Sequence, residues 1–333
     1  MYLPNPDHRA LVLIQWLSES LDLAIDSITP ASSDASFRRY FRVRHAQGCH
    51  VVMDAPPDKE TTEPFVRIAA LFSLAGIHVP AVHEWQAEQG FLLLEDLGRE
   101  CVLDVLNAET VDGLYQRALD SLFLLQTRLD VESCGLPRYD QALLMRELGI
   151  FHEWFLEKLL GIVLPPSLRE SLDACLIESA LQQPVVCVHR DYHSRNLMYL
   201  GEVLPGVIDF QDAVVGPITY DLVSLLRDCY VAWPEQQVWA WCEAYHRRLS
   251  AAGVVTVDFS VFRRWFDWMG LQRHLKAIGI FSRLHLRDDK STYLADIPRT
   301  LDYVMAVCRH YPELAEFQAF LQHQVLPIYR AQL

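Results

Sequence analysis

The sequence predicts an α+β protein in two parts, a small lobe built on an antiparallel sheet followed by a larger, mainly helical lobe. Three observations carry this expectation. Short strand-like segments crowd residues 37–94. Helical periodicity dominates beyond Asp96. The 333 residues, 51% hydrophobic and 22% charged, are enough for two cores. The lobes are placed at residues 1–96 and 97–333.

The elements follow in order. From His8 to Leu23 the spacing of Leu11, Ile14, Trp16, Leu17 and Leu21 predicts an opening amphipathic helix, and the pattern changes after Pro30. Strands are expected at Arg39–Val43, Cys49–Met53, Val82–Glu84 and Phe91–Leu94, with a helix from about Pro64 to Ala75 between them. Helices are then expected at Thr110–Leu129, Gln141–Leu160, Leu168–Ala180, Glu235–Leu249 and Phe259–Ile280, interrupted by a β-rich island over Val185–Phe210. Gly161 to Ser167 is a turn-like break, and there is no internal repeat.

Composition removes several classes of function. Lys and Arg number 29 against 43 Asp and Glu, and a formal charge of -14 repels nucleic-acid phosphates and anionic membranes. Eight cysteines stand singly, without a C-x-x-C pair, and are expected to be reduced thiols. The N-terminal residues carry no basic region followed by an apolar stretch, and no apolar run is long enough to span a bilayer, so a cytoplasmic protein is expected; it is separately expected to act as a monomer.

The chemistry lies in Val185-Val186-Cys187-Val188-His189-Arg190-Asp191-Tyr192-His193-Ser194-Arg195-Asn196-Leu197, followed by Gly206-Val207-Ile208-Asp209-Phe210. An apolar strand delivers a polar loop, and a second strand delivers an acid. Phosphoryl transfer needs a carboxylate near the acceptor hydroxyl and oxygen ligands for Mg2+, because its catalysis is positioning and charge neutralisation. Asp191 supplies the first; Asn196 and Asp209 supply the second. Each residue alone is as well explained as a turn or cap residue; the combination in its strand–loop–strand context is what points to catalysis.

The spacing H-R-D-x-x-x-x-N, with an Asp-Phe thirteen positions after the Asn, matches the kinase catalytic loop. Ile208-Asp209-Phe210-Gln211-Asp212 followed by Gly216-Pro217-Ile218-Thr219-Tyr220-Asp221-Leu222 resembles the aminoglycoside phosphotransferase and choline kinase branch of the protein-kinase-like superfamily. That resemblance implies a bilobal protein-kinase-like fold, ATP as donor, and Asp221 as a helix cap that braces the catalytic loop. No segment long enough for a protein kinase's activation loop separates Asp209 from Gly216.

On the nucleotide side, the tract Ser33-Asp34-Ala35-Ser36-Phe37-Arg38 stands where kinases lay backbone N–H groups over the phosphates, although it lacks glycine. Glu95 and Leu97 in Phe91–Gly98 resemble the hinge whose backbone pairs with adenine. The strand Cys49–Asp54 offers Met53 or Asp54 where kinases carry a lysine; Arg38, Arg42, Arg44 and Lys59 are the neighbouring cations that could replace it.

For the acceptor, the basic stretch from Arg263 to Lys290 is either a solvated face or an anion site, and Gln272, Lys276 and Arg283 fall at helical spacings suited to a carboxylate. Gln272–Leu284, Tyr293-Leu294, Ile297-Pro298-Arg299 and Val52–Pro57 are similar to the bacterial anomeric kinases of N-acetylmuramate and N-acetylglucosamine. The resemblance implies a small amino-sugar acceptor phosphorylated at C1, a step in the reuse of cell-wall sugars. An aminoglycoside, choline or homoserine kinase, and a nucleotide-binding pseudokinase, remain the alternatives.

Overall fold

The computed structural model describes residues 7–32 and 38–332. Two compact units divide the chain. One holds the described residues up to Thr110 together with Asn196–Gln211, the other Val111–Arg195 together with the residues from Asp212 onward.

The first unit opens with α1 (His8–Gln15), whose N-terminus is capped by the Asp7 carboxylate accepting from the Ala10 amide at 2.8 Å. A π-turn, Trp16–Ser20, continues it. Five strands follow, β1 (Ile25–Ser32), β2 (Arg39–His45), β3 (Gly48–Asp54), β4 (Val82–Gln86) and β5 (Phe91–Glu95), with α2 (Glu63–Leu74) between β3 and β4. The sheet is antiparallel in the order β1-β2-β3-β5-β4. Strand alternation turns Phe41 and Val43 inward and Arg42 and Arg44 to the other face. Leu13, Trp16 and Leu17 close over Ile28, Phe41, Val43, Val52, Phe91 and Leu93 to form the core.

The sequence pattern missed β1. Asp26, Ser27, Thr29 and Pro30 dilute its strand signal, yet it is an edge strand, where a proline without an N–H is tolerated. Gly90, at φ 71°, is required where β5 begins, because a Cβ there would lie 1.9 Å from the Ala55 carbonyl oxygen.

After the short α3 (Val102–Val105), the second unit begins with α4 (Val111–Arg128) and α5 (Gln141–Ile150), the latter continuing as a π-helix over Phe151–Leu159. Then come α6 (Pro166–Leu181), β6 (Val185–Val188), the hairpin strands β7 (Leu197–Met198) and β8 (Gly206–Val207) of the first unit, β9 (Val214–Pro217) and α7 (Tyr220–Leu226). The chain ends in α8 (Glu235–Ala251), α9 (Phe259–Asp288), α10 (Ile297–His310), α11 (Ala315–Phe320) and α12 (Leu326–Gln332). Among the described residues no helix is long and apolar enough to cross a membrane, and all eight cysteines are free thiols.

Helix α9 is the spine of this unit. Every residue from Trp265 to Lys276 is buried, so the helix is enclosed all round and its basic residues do not form a solvated face. Gly279 lets it press on the end of α5: a Cβ there would come within 2.6 Å of the Ile150 carbonyl.

Candidate active site

Strand β6, paired antiparallel with β9, carries Val186, Cys187 and Val188 into the core of the helical unit and delivers the polar loop at its end. Two buried acids hold that loop. Asp221, in the first turn of α7, accepts from the His189 amide at 2.6 Å and the Arg190 amide at 3.0 Å. Arg190 sits at φ 79°, a left-handed conformation unfavourable for arginine, and these bonds stabilise it. Burial pushes the Asp221 carboxyl up to about 7, against the pull of its two backbone donors. At the other end, Asp228 accepts from the Ser194 amide at 2.9 Å and its hydroxyl at 2.5 Å, and from the Tyr230 amide at 2.9 Å.

A third buried acid joins loop and helices. Glu147 of α5 accepts from Lys276 Nζ at 2.8 Å, from Arg190 Nη2 at 2.5 Å, and from the Tyr139 hydroxyl. Lys276 also donates to the Tyr220 hydroxyl at 3.0 Å. Burial opposes ionisation of Glu147, but the charges of Lys276 and Arg190 outweigh it and hold the carboxyl below its usual range. The same carboxylate keeps the buried Lys276 charged.

Asp191 opens on a cavity of about 90 Å³ whose charged lining is Asp191, Arg273 and Lys276; His193, Tyr220 and Tyr230 supply further polar edges, and Ala277, Ile280 and Phe281 an apolar wall. Asp191 is thus the one carboxylate among the described lining residues. Burial resists its charge, yet the charges of Lys276, His193, Arg273 and His189 together outweigh that effect and keep the carboxyl below the ordinary value. Burial likewise lowers His193, whose ring lies edge-on to Tyr230 at 5.1 Å. The exposed Arg195 guanidinium stacks 3.6 Å from the centroid of the same Tyr230 ring.

The acceptor residues expected from the sequence separate here. Lys276 lines the cavity, but Gln272 is enclosed below it, donating to the Tyr139 hydroxyl at 3.2 Å and to Glu147 at 3.4 Å. Arg283 lines another, larger hollow of about 510 Å³, with Arg146, His152, Glu153, Trp154 and Glu157. The physical reason is length: seven helical residues advance roughly 10 Å, which carries Arg283 past the end of the first cavity. Asp191 does not line the larger hollow.

The first unit holds the oxygen donors. Asp209, at φ 63°, lies 3.4 Å from the Asn196 amide and accepts from Gln211 Nε2 at 2.7 Å. Phe210 anchors this turn against Phe65 and Phe72 of α2, ring centroids 4.7 and 5.8 Å away. The buried Gln211 Oε1 has no hydrogen-bond partner among the described residues. Hard oxygen donors around one carboxylate suit magnesium, which is commonly held by one or two protein carboxylates, waters and substrate phosphates. Among the described residues no cluster of three or more His, Cys, Asp or Glu side chains forms a self-sufficient metal cage.

Of the expected nucleotide residues, Ser33, Asp34, Ala35, Ser36 and Phe37 lie outside the described residues. Arg38 is ion-paired with Glu60, just ahead of α2. Arg42 is committed to Asp96 through bonds of 2.7 and 2.9 Å, and Lys59 pairs with Asp58 at 3.5 Å. Asp54, where a kinase lysine would stand, is buried and receives Arg39 Nε at 3.0 Å and Arg9 Nε at 2.9 Å. The Glu95 side chain pairs with His78 at 3.0 Å, and Leu97 is buried.

Sequence reasoning missed Glu147 and Asp228, and read Arg273 only as part of the basic stretch from Arg263 to Lys290. Glu147 did carry a local signal, a lone acid beside the apolar Leu144 and Leu148 on one helix face. Asp228 carried none, since its role depends on which helices surround it.

Residues 27–254 match a family described as the phosphotransferase enzyme family (APH). An N-acetylmuramate/N-acetylglucosamine kinase of Pseudomonas putida is 47% identical over 328 residues, spanning 94% of this chain and 96% of its own. One of Neisseria meningitidis serogroup B is 41% identical over 321 residues, spanning 94% and 95%. Among solved structures, the choline kinase LicA from Streptococcus pneumoniae aligns with a TM-score of 0.63 at 12% identity, covering 90% of this chain and all of that one, 100%. The ADP-bound aminoglycoside phosphotransferase APH(2'')-Ib aligns with a TM-score of 0.59 at 16% identity, covering 88% and 97%. These likenesses show a shared fold, the protein-kinase-like α+β architecture.

Proposed function

The chain belongs to the phosphotransferase enzyme family, and from that premise we propose that it moves the γ-phosphoryl group of ATP to the anomeric (C1) hydroxyl of N-acetylmuramate or N-acetylglucosamine in the cytoplasm. The observation that carries this reading is the cavity at Asp191. One ionised carboxylate faces it, in company with two cations, which is the wrong lining for a polycationic aminoglycoside or for choline and a fitting one for a neutral or acidic sugar. The names of the 47% and 41% identical relatives agree with it.

Asp191 would take the proton from the acceptor hydroxyl. Its carboxyl is held below the ordinary value, so it is ionised at neutral pH. A hemiacetal hydroxyl is more acidic than a simple alcohol, so a weak base is sufficient. Asn196 and Asp209 would hold magnesium, whose charge neutralises the transferring phosphoryl group. Arg38, fixed by Glu60, is the cation we assign to the donor phosphates in place of the absent strand lysine. Backbone groups at Glu95 and Leu97 would meet the adenine.

The test is ADP release from purified protein with ATP and magnesium against N-acetylmuramate, N-acetylglucosamine, kanamycin, choline and homoserine, with products identified by phosphorus NMR. An anomeric phosphate signal from either sugar is expected. Turnover with a cationic acceptor alone overturns the substrate assignment, and turnover with none overturns the function.

A further inference from the structure

Two cations of α9 line the acceptor cavity, and their surroundings differ. Lys276 is already matched: Glu147 lies 2.8 Å from its Nζ and the Tyr220 hydroxyl 3.0 Å. Arg273 is not. It is 6% exposed, its guanidinium makes no ion pair among the described residues, the Asp191 and Asp228 carboxylates acting on it only at longer range, and its one hydrogen bond is a 3.7 Å contact from Nη1 to the Cys229 thiol. Its Nε has no partner. A guanidinium carries five N–H donors, and a thiol is a weak acceptor for any of them. Burying such a charge without a hydrogen-bonded anion is costly, so the site is built for an anion that arrives from outside.

The walls specify what kind. Ala277, Ile280 and Phe281 form an apolar side to the cavity that Arg273 lines. A bare phosphate would leave that side uncovered. A carboxylate on a short aliphatic arm covers it, the charged end meeting the planar fork and the methyl or methylene carbons the apolar wall.

We propose that Arg273 receives the carboxylate of an acid-bearing acceptor and so sets the enzyme's preference for the acidic sugar over the neutral one, while Lys276 braces the catalytic loop through Glu147. The inference rests on the amino-sugar reading above, in which N-acetylmuramate differs from N-acetylglucosamine by a lactyl ether.

The experiment compares kcat/KM for N-acetylmuramate, its methyl ester and N-acetylglucosamine in the wild type, in Arg273→Gln and in Lys276→Met. The ratio of the N-acetylmuramate value to the N-acetylglucosamine value should fall roughly 10- to 100-fold in Arg273→Gln, the worth of a charge-assisted hydrogen bond. Lys276→Met should lower both values together. In the wild type the ester should be poorer than the acid, an arm that needs no variant to fold. An ester as good as the acid, or equal losses for both sugars in Arg273→Gln, overturns this inference alone; the latter pattern would mean that Arg273 acts on the phosphoryl group or on the fold. Turnover of neither sugar by the wild type overturns the amino-sugar reading and this inference with it.

Discussion

Replacing Glu147 with glutamine tests whether the buried charge knot holds the catalytic loop. The substitution keeps volume and shape but removes the negative charge that faces Lys276 at 2.8 Å and Arg190 at 2.5 Å. Breaking a buried pair from one side costs about 3–5 kcal/mol, because the partner charge stays behind. The Glu147 side chain is 3% exposed and Lys276 8%, so that lysine cannot regain water without moving; Arg190, at 19%, can do so in part. The lower end, about 3 kcal/mol, is therefore expected. Urea unfolding followed by the fluorescence of the eight tryptophans measures it. In Glu147→Gln/Lys276→Met the orphaned ammonium is gone, and the double variant should be more stable than Glu147→Gln by at least about 1 kcal/mol. A single variant within about 0.5 kcal/mol of wild type, or a double variant as unstable as the sum of the two single losses, would refute the argument.

Asp191→Ala should abolish turnover while ATP still binds, read by calorimetry alongside ADP release; near-normal turnover would remove Asp191 from the mechanism. Burial and the neighbouring Arg273 hold the His274 imidazole down at about 3 against an ordinary 6.5, so it is neutral in the folded protein and takes up a proton only on unfolding. Its contribution is therefore complete above pH 6.5 and is lost as pH falls toward 3, with a slope of at most about 1.4 kcal/mol per pH unit; His274→Asn should flatten the unfolding free energy over that range, and an unchanged slope would exclude this histidine as the source. Gly279→Ala would stabilise an exposed helix, but here its Cβ meets the Ile150 carbonyl at 2.6 Å, so a lower melting temperature is expected, at a cost of roughly 1–3 kcal/mol. A higher one would show that the two helices can separate without penalty.

The sequence disclosed the parts of the site whose logic is local. Val185 to Asn196 reads as strand, polar loop and candidate catalytic carboxylate because those residues are neighbours in the chain, and the structure puts β6 and the loop where the pattern predicts. The Asp221 brace was legible for a similar reason, since it follows a recognisable Gly-Pro-Ile-Thr-Tyr tract. The acceptor residues were not. Their selection assumed that α9 exposes one basic face, whereas Trp265 through Lys276 are buried on all sides. Periodicity cannot separate Arg273, which lines the cavity unpaired, from Gln272, enclosed by Tyr139 and Glu147 one residue earlier. Nor can it show that Lys276 is already matched by an acid more than a hundred positions away in sequence. β1 was lost to its own edge character and α10 to the weight given to longer periodic runs, whereas α7 was expected from the Tyr-Asp-Leu tract that opens it.

The contrast between net charge and site charge has a physical resolution. A chain of charge -14 projects a field that favours cationic ligands at a distance. At about 0.15 M salt that field decays over roughly 8 Å, whereas charges in a desolvated cavity act over shorter distances with little screening. At Asp191 the local balance departs from the global one: Arg273 and Lys276 line the cavity with a single carboxylate, and because Glu147 already matches Lys276 the lining is near neutral rather than acidic. The acids that could have made it acidic are turned to other work: Asp221 and Asp228 hold the loop backbone, and Glu147 neutralises Lys276 and Arg190. On the proposed reading, one acid serves as base and Arg273, which has no ion pair among the described residues, is left to discriminate among acceptors. Such a division would let an acidic protein accept an anionic substrate without a basic surface, and the ester comparison proposed above tests it.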